Sequence, residues 1–337
     1  MSATAGTPIR WGIAATGRIA AQFVDGLSQV DDADVVAVGS RAQATADAFG
    51  DRWRIARRHG SLDALAADPD VDVVYVASPH AAHHDDALRF LRAGKHVLCE
   101  KPLALDAGQS GRMVAEARDR GLFLMEAIWS RFLPGYVALR DLLAEGRIGE
   151  PQVVEADFGF ALPFDPAHRL YDPALGGGST LDLGIYPVQL CSMVFGGPPD
   201  TIAAGGHLGP TGVDERMAAV LGWDGGRLGV VKSAITVGLA CEARISGTEG
   251  WIDVPAFMHC PQHLTVVAGG VTERVDVGYD GEGLRFQVPE VHRCIREGLV
   301  ESPVVPHAES LSIARTLDAI RAQLGMRYPG EQPTVTP

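Results

Sequence analysis

Residues 71–102 read VDVVYVASPHAAHHDDALRFLRAGKHVLCEKP, and this stretch decides the fold. The apolar run Val71–Ala77 suits a buried strand, and Leu88 and Leu91 mark a helix that Gly94 ends. His96–Cys99 is the next strand, and Pro102 stops its ladder by removing a backbone donor. A strand, a crossover helix and a second strand make a parallel pair. The same grammar extends both ways. Arg10–Ala14 and Val35–Val38 read as earlier strands. A helix from Gly17 carries Ile19, Phe23, Val24 and Leu27 at helical spacing, and a short helix covers Thr45–Phe49. Met113, Val114 and Ala117 mark a further helix, and Phe123–Met125 a further strand. Residues 1–126 are therefore expected to form a doubly wound parallel α/β sheet that binds a nucleotide at the carboxyl ends of its strands.

From residue 127 the pattern changes. A helix around Tyr136–Leu143 leads into alternation at Val154, Ala156, Phe158 and Phe160, a strand with one buried face. Met217–Trp223, Arg227–Ala234, Ala240–Ile245, Leu264–Val267 and Val271–Val277 follow as strand-like runs between Gly-containing turns. Helices near Val288–Glu297 and Leu311–Leu324 close the chain. Residues 127–337 are thus expected to form an α+β domain with a large, open, mainly antiparallel sheet.

The 337 residues are 46% hydrophobic and 21% charged, enough for two cores. With 29 Lys and Arg against 42 Asp and Glu, the net charge of −13 argues against nucleic acid or an anionic membrane as partner. Cys99, Cys191, Cys241, Cys260 and Cys294 are scattered, which suits reduced thiols rather than a zinc knuckle or disulfide framework. Met1–Ile9 lacks the apolar core of a signal peptide, and no run approaches the ~20 apolar residues of a membrane helix. The expected location is cytoplasmic.

Four segments carry candidate chemistry. Ala15, Thr16, Gly17, Arg18 and Ile19 form the first strand–helix turn. Against GxGxxG the register is Ala15-x-Gly17-x-x-Ala20, so the first glycine is replaced while the one that admits a pyrophosphate stays. After the second strand comes Gly39-Ser40-Arg41, with no acid for a ribose hydroxyl. Ser40 and Arg41 suit the 2′-phosphate of NADP over NAD. After the third strand, Ser78 and Pro79 are expected to line the nicotinamide side, with His80 and His83 capping the helix or facing the cofactor. Catalytic zinc wants three ligands in fixed geometry, and no metal is expected from this run.

Lys101, after Glu100, can supply charge or a proton to a substrate oxygen; the alternative is a solvated ion pair. Residues 176–190 read GGGSTLDLGIYPVQL, placing Asp182 and Tyr186 four apart in an expected helix and so on one face. An ammonium near a tyrosine favours its ionised form, and such a group can exchange a proton with a hydroxyl. The alternative is a capping acid and a packed aromatic.

Together RWGIAATGRIA at 10–20, AGKHVLCEKPLAL at 93–105, GGGSTLDLGIYPVQL at 176–190 and ISGTEGWI at 245–252 resemble the glucose–fructose oxidoreductase/inositol dehydrogenase (Gfo/Idh/MocA) family. The resemblance implies a Rossmann domain, a sheet domain used for oligomerisation, and hydride transfer on sugars, cyclitols or diols. It implies that Lys101 stabilises or protonates the reacting oxygen, that Glu100 lies near the nicotinamide, and that Asp182 orients the site. Many members carry histidine where Tyr186 stands. In that respect, and in MEAIWSRF at 125–132, the chain is similar to the dimeric dihydrodiol dehydrogenase and NADP-linked xylose dehydrogenase branch. By the same resemblance Trp129 and Arg131 border the cofactor, or else pack between domains as exposed residues, and Phe158 or Phe160 walls the substrate pocket. The expected protein is an NADP-dependent enzyme on a CH–OH group, assembled as a homodimer or homotetramer through the second sheet. Its rivals are an NAD-linked inositol or deoxysugar dehydrogenase and a non-catalytic NADP sensor.

Overall fold

The computed structural model describes residues 7–331, so part of the Met1–Ile9 stretch lies outside the described residues. The chain divides into two compact units. The first takes residues up to Ala104, Gly108–Arg131 and Asp280–His307; the second takes Leu105–Ala107, Phe132–Tyr279 and the chain from Ala308 onward.

The first unit holds β1 (Ile9–Ala14), α1 (Arg18–Leu27), β2 (Ala33–Gly39), α2 (Gln43–Trp53), β3 (Arg57–His59), α3 (Leu62–Ala66), β4 (Val73–Val76), α4 (His83–Arg92), β5 (His96–Glu100), α5 (Ala107–Arg120) and β6 (Leu124–Ala127). All its strand pairs are parallel, in the order β3-β2-β1-β4-β5-β6. That is the doubly wound order in which ligands bind beside β1 and β4, where the winding reverses. Every residue of β4 is buried, as expected for a strand covered by helices on both faces. Helix α1 buries Ala20, Phe23, Val24 and Leu27. Phe23 stacks on Tyr75 of β4 with ring centroids 3.7 Å apart. Gly94, at φ +79°, closes α4 where a side chain would be strained.

The second unit begins with α6 (Pro134–Ala144) and β7 (Pro151–Gly159), then α7 (Ile185–Phe195) and β8 (Thr201–Leu208). It continues through β9 (Asp214–Gly222), β10 (Leu228–Ala234), β11 (Ala243–Gly247), β12 (Gly250–Val254), β13 (His263–Ala268) and β14 (Val271–Asp276). These strands form one eight-stranded sheet, β14-β13-β12-β11-β7-β10-β9-β8, antiparallel except where β10 runs parallel to β7. Helix α7 lies close on it, because a Cβ at Gly229 would sit 2.8 Å from Cys191 Sγ. After β14 the chain re-enters the first unit as α8 (Val288–Arg296), then runs into α9 (His307–Leu324). A single boundary at 126/127 does not describe this path. Helix α8 places His292 Nε2 3.0 Å from the buried indole N–H of Trp11 on β1.

Strands β3, β8 and β12 and helix α3 are additional to the elements expected from sequence, and α2 is longer than Thr45–Phe49. No helix among the described residues is long and apolar enough to cross a membrane.

Candidate active site

In the first unit, the turn after β1 carries Ala15 at φ +98°, a conformation that suits glycine and strains alanine. Gly17 precedes α1, no side chain caps that helix, and its first turn contains no acid. A Cβ at Gly17 would meet nothing within 4 Å. Uncapped amide groups, a positive dipole end and open space fit a phosphate there, and Arg18 and Ile19 begin the same helix. At the end of β2, the Ser40 hydroxyl bonds the Thr45 hydroxyl at 2.6 Å, and Arg41 is exposed.

Ser78 and Pro79 follow β4, and one 3-10 turn, His80–Ala82, leads into α4. His83 is fully buried, with Nε2 2.8 Å from the Ser78 carbonyl and Nδ1 2.8 Å from the Pro102 carbonyl. Burial first, then the nearby His80, pushes its pKa down to about 3. The ring is therefore neutral, and its single N–H donates to one of these two carbonyls while the other nitrogen lies against the second. His80 is also buried, its ring centroid 5.6 Å from that of His83.

The loop after β5 is held from several sides. The Tyr75 hydroxyl donates to Glu100 Oε1, and the Lys101 backbone N–H donates to Glu100 Oε2 at 3.2 Å. Leu103 N–H donates to the buried Glu126 on β6 at 2.8 Å. Lys101, half-buried, thus sits on a fixed loop at the carboxyl edge of the sheet. Trp129 and Arg131 lie on a 3-10 turn after β6. Arg131 is 3% exposed, which corrects the expectation of an exposed residue.

In the second unit, the glycine-rich segment leads into one π-helical turn, Thr180–Gly184, and then α7. Asp182 lies in that turn and Tyr186 in the first turn of α7, so the plain α-helix expected across both residues is interrupted. Such a widened turn is frequent at functional sites. It packs tightly on the sheet: a Cβ at Gly184 would come within 2.6 Å of Met217 Cε. The buried Asp214 of β9 holds its start. One carboxylate oxygen accepts from Ser179 Oγ at 2.7 Å, Thr180 N–H at 2.7 Å and Thr180 Oγ1 at 2.8 Å. Burial pushes the Asp214 carboxyl up despite these donors.

Asp182 is buried, and Arg169 clamps it with Nη1 3.1 Å from Oδ1 and Nη2 3.2 Å from Oδ2. The Tyr186 ring, also buried, has Phe158 of β7 edge-on at 5.2 Å and His259 at 5.2 Å. Phe160 extends from Phe158 at 6.3 Å and is exposed. The arrangement fixes a carboxylate and a phenol on neighbouring turns of one rigid support.

Sequence reasoning missed Tyr75, Glu126, Arg169, Asp214 and His259 as parts of these assemblies. Each acts from another segment, and only Glu126 carried a signal, lying in the MEAIWSRF run. Among the described residues, no three His, Cys, Asp or Glu side chains are grouped to hold a metal ion.

The comparisons with known proteins agree with the fold. The Oxidoreductase family, NAD-binding Rossmann fold, matches residues 9–128, and the GFO/IDH/MocA C-terminal domain matches residues 136–253. The chain belongs to the Gfo/Idh/MocA oxidoreductase family, and it is an NAD(P)-dependent oxidoreductase of CH–OH groups. Among its relatives is a trans-1,2-dihydrobenzene-1,2-diol dehydrogenase from Xenopus laevis, 40% identical over 331 residues, covering 95% of this chain and 99% of the relative. The enzyme of that name from Homo sapiens is 40% identical, covering 96% and 99%. Of solved structures, a 3-ketoreductase from Actinomadura kijaniata, bound to NADP and TDP-benzene, superposes with TM-score 0.84. It is 27% identical, over 94% of this chain and 98% of that one. An aldose-aldose oxidoreductase from Caulobacter crescentus, complexed with glycerol, gives TM-score 0.86 at 25% identity over 94% and 97%.

Proposed function

We propose that the protein is an NADP-dependent dehydrogenase that interconverts a secondary hydroxyl and its ketone, or oxidises a hemiacetal carbon, in a sugar, cyclitol or diol. The observation that carries this reading is the second unit's buried turn, where Asp182 is clamped by Arg169 and Tyr186 is held between Phe158 and His259. The cofactor supplies the redox chemistry when bound, exchanging a hydride with the substrate carbon. Gly17 and the amide groups of α1 hold its pyrophosphate. Ser40 and Arg41 hold the 2′-phosphate, a reading supported by the absence of an acid after β2. Lys101 stabilises the reacting oxygen, Tyr186 exchanges the hydroxyl proton, and Asp182 orients the substrate. Trp129 and Arg131 border the cofactor, and Phe160 bounds the substrate. Self-association uses the outer face of the second sheet. There Trp251 aligns through Ser246 and Val153 with Leu228, with Val220 on the same face, and Trp251, Leu228 and Val220 are exposed.

Fluorescence titration with NADPH and NADH, followed by a turnover screen of aldoses, inositols and vicinal diols, tests the reading. Tighter NADPH binding with turnover is expected. A preference for NADH refutes the roles of Ser40 and Arg41. Tight NADPH binding without turnover on any substrate supports the sensor instead.

A further inference from the structure

We propose that Tyr328, on the segment that follows α9, is a positioning residue of this enzyme, its hydroxyl fixing the glycine-rich backbone that aims Arg169 at Asp182. The inference rests on the role proposed above for Asp182 and deepens it. Gly325, at φ +74°, ends α9, and beyond it Met326 and Tyr328 are both buried. The Tyr328 hydroxyl donates to the Gly177 carbonyl at 2.6 Å, across 151 positions of sequence. Burial first, then Asp214, raises the Tyr328 phenol well above its ordinary pKa, with Glu331 and Asp182 adding to the shift and Arg321 opposing it. The hydroxyl therefore keeps its proton, and what it offers Gly177 is always a donor.

Tyr328 is itself held in place. Its N–H donates to Glu331 Oε2 at 3.0 Å, and Glu331 N–H donates back to the Tyr328 carbonyl at 3.2 Å, closing a turn. Arg321 of α9, 3% exposed, lays its guanidinium over the Tyr328 ring, 4.8 Å from the centroid. The same guanidinium donates to Glu331 Oε2 at 3.1 Å, Asp318 Oδ1 at 2.8 Å and the Leu105 carbonyl at 3.0 Å. Asp318 Oδ2 in turn accepts from Ala107 N–H at 2.9 Å. An arginine this deep is costly to bury unless paired, and here its partners brace the turn that carries the phenol.

At the other end, Gly177 has no room to shift alone. A Cβ there would lie 2.7 Å from the Leu170 carbonyl oxygen, 2.8 Å from that of Arg169 and 2.9 Å from that of Asp172. Gly177 N–H donates to the Asp172 carbonyl at 3.0 Å, and Gly178 N–H to the Leu170 carbonyl at 2.9 Å. Residues 169–172 and the glycines are thus stitched into one loop. One end of it sends the Arg169 fork to Asp182, and the other enters the π-helical turn that carries Asp182. A fork that must meet two oxygens at once is sensitive to small displacements of its backbone. Asp214 holds this loop at Ser179 and Thr180, and Tyr328 holds it at Gly177.

A double-mutant cycle tests the assignment, read as initial rates of the NADP+-loaded enzyme on trans-1,2-dihydrobenzene-1,2-diol or D-xylose. Tyr328→Phe keeps the ring and removes the donor, so kcat is expected to fall about fivefold with KM within twofold. In an Arg169→Ala background the same change alters kcat by less than twofold, because the clamp it serves is already gone. The same loss in both backgrounds, or none in either, overturns the inference. If Tyr328→Phe does not fold, Glu331→Gln loosens the turn with the phenol intact, and a loss of about threefold with the same non-additivity is expected. Asp182→Asn separates the two readings. If it keeps wild-type kcat/KM, the role of Asp182 fails and the inference with it; if it is impaired while the cycle is additive, the inference alone fails. If the wild type turns over neither substrate, amide hydrogen exchange decides. Faster exchange at Gly177, Gly178 and Thr180–Gly184 in Tyr328→Phe supports the positioning, and unchanged exchange overturns it.

Discussion

Removing the Arg169 guanidinium strips a buried carboxylate of a bidentate partner, and the loss can be sized. Charge-assisted hydrogen bonds contribute about 1.5–3 kcal/mol each. The two to Asp182 measure 3.1 and 3.2 Å, longer than the usual range of about 2.7–2.9 Å, so the low end applies. That gives about 3 kcal/mol for the pair. The Arg169 side chain is 44% exposed, so water replaces part of what is lost and about half remains. A residue of about 1.5 kcal/mol in orienting Asp182 is about tenfold in kcat/KM. Arg169→Ala is therefore expected to lower kcat/KM about tenfold in initial-rate assays of the NADP+-loaded enzyme, with NADPH affinity unchanged. Arg169→Lys, which keeps the charge but not the fork, falls between. A folded Arg169→Ala protein with kcat/KM within twofold of wild type refutes the reasoning.

Three further outcomes follow from the same geometry. His83 is held neutral with its pKa near 3 against about 6.5 unfolded, so between those values the unfolded chain binds a proton that the native state does not. Stability is lost as pH falls through that window, by about 1.4 kcal/mol per pH unit for this group; denaturant midpoints at pH 6.5 and 5.5 should show His83→Gln with the shallower dependence. Ala15→Gly relieves the φ of +98° and is expected to raise stability by up to about 1 kcal/mol, read as a higher thermal midpoint with NADPH affinity retained. Gly178→Ala puts a Cβ 2.3 Å from Asp214 Oδ1 at φ +113° and should cost about 3 kcal/mol or more; an unchanged denaturant midpoint contradicts it.

The first sheet apart from β3 was legible because apolar runs and helical spacing alternate along most of Ile9–Ala127, whereas β3, Arg57-Arg58-His59, carries no apolar residue. Strand β8 was not legible, because after Thr201 and Ile202 TIAAGGHL runs into Ala and Gly, which are depleted in strands, and it lies mostly exposed at the sheet edge. Asp182 and Tyr186 were legible as a pair from GGGSTLDLGIY, but the π-helical turn was not. It depends on packing against Met217 and on Asp214, both of β9. Arg169 and His259 were silent for the same reason. Their roles come from neighbours distant in the chain, and no local periodicity encodes those meetings. His83 shows the opposite limit. Its place after β4 was read correctly, while its burial between two carbonyls depends on the loop around Pro102.

The path of the chain through the first unit has a consequence for how the protein is made. Chains emerge N-terminus first, and domains tend to fold as they emerge. Here six parallel strands are complete at Ala127, yet the indole of Trp11 awaits His292. Leu124 is in the same position at the edge: its N–H awaits the Val300 carbonyl at 3.0 Å, and its carbonyl awaits His307 Nε2 at 2.8 Å. A nascent chain released at residue 131 would hold a finished sheet with unpaired polar groups in its interior. Most of the second unit is encoded inside that interval, so a ribosome finishes all of Phe132–Tyr279 before supplying the last pieces of the unit it began with.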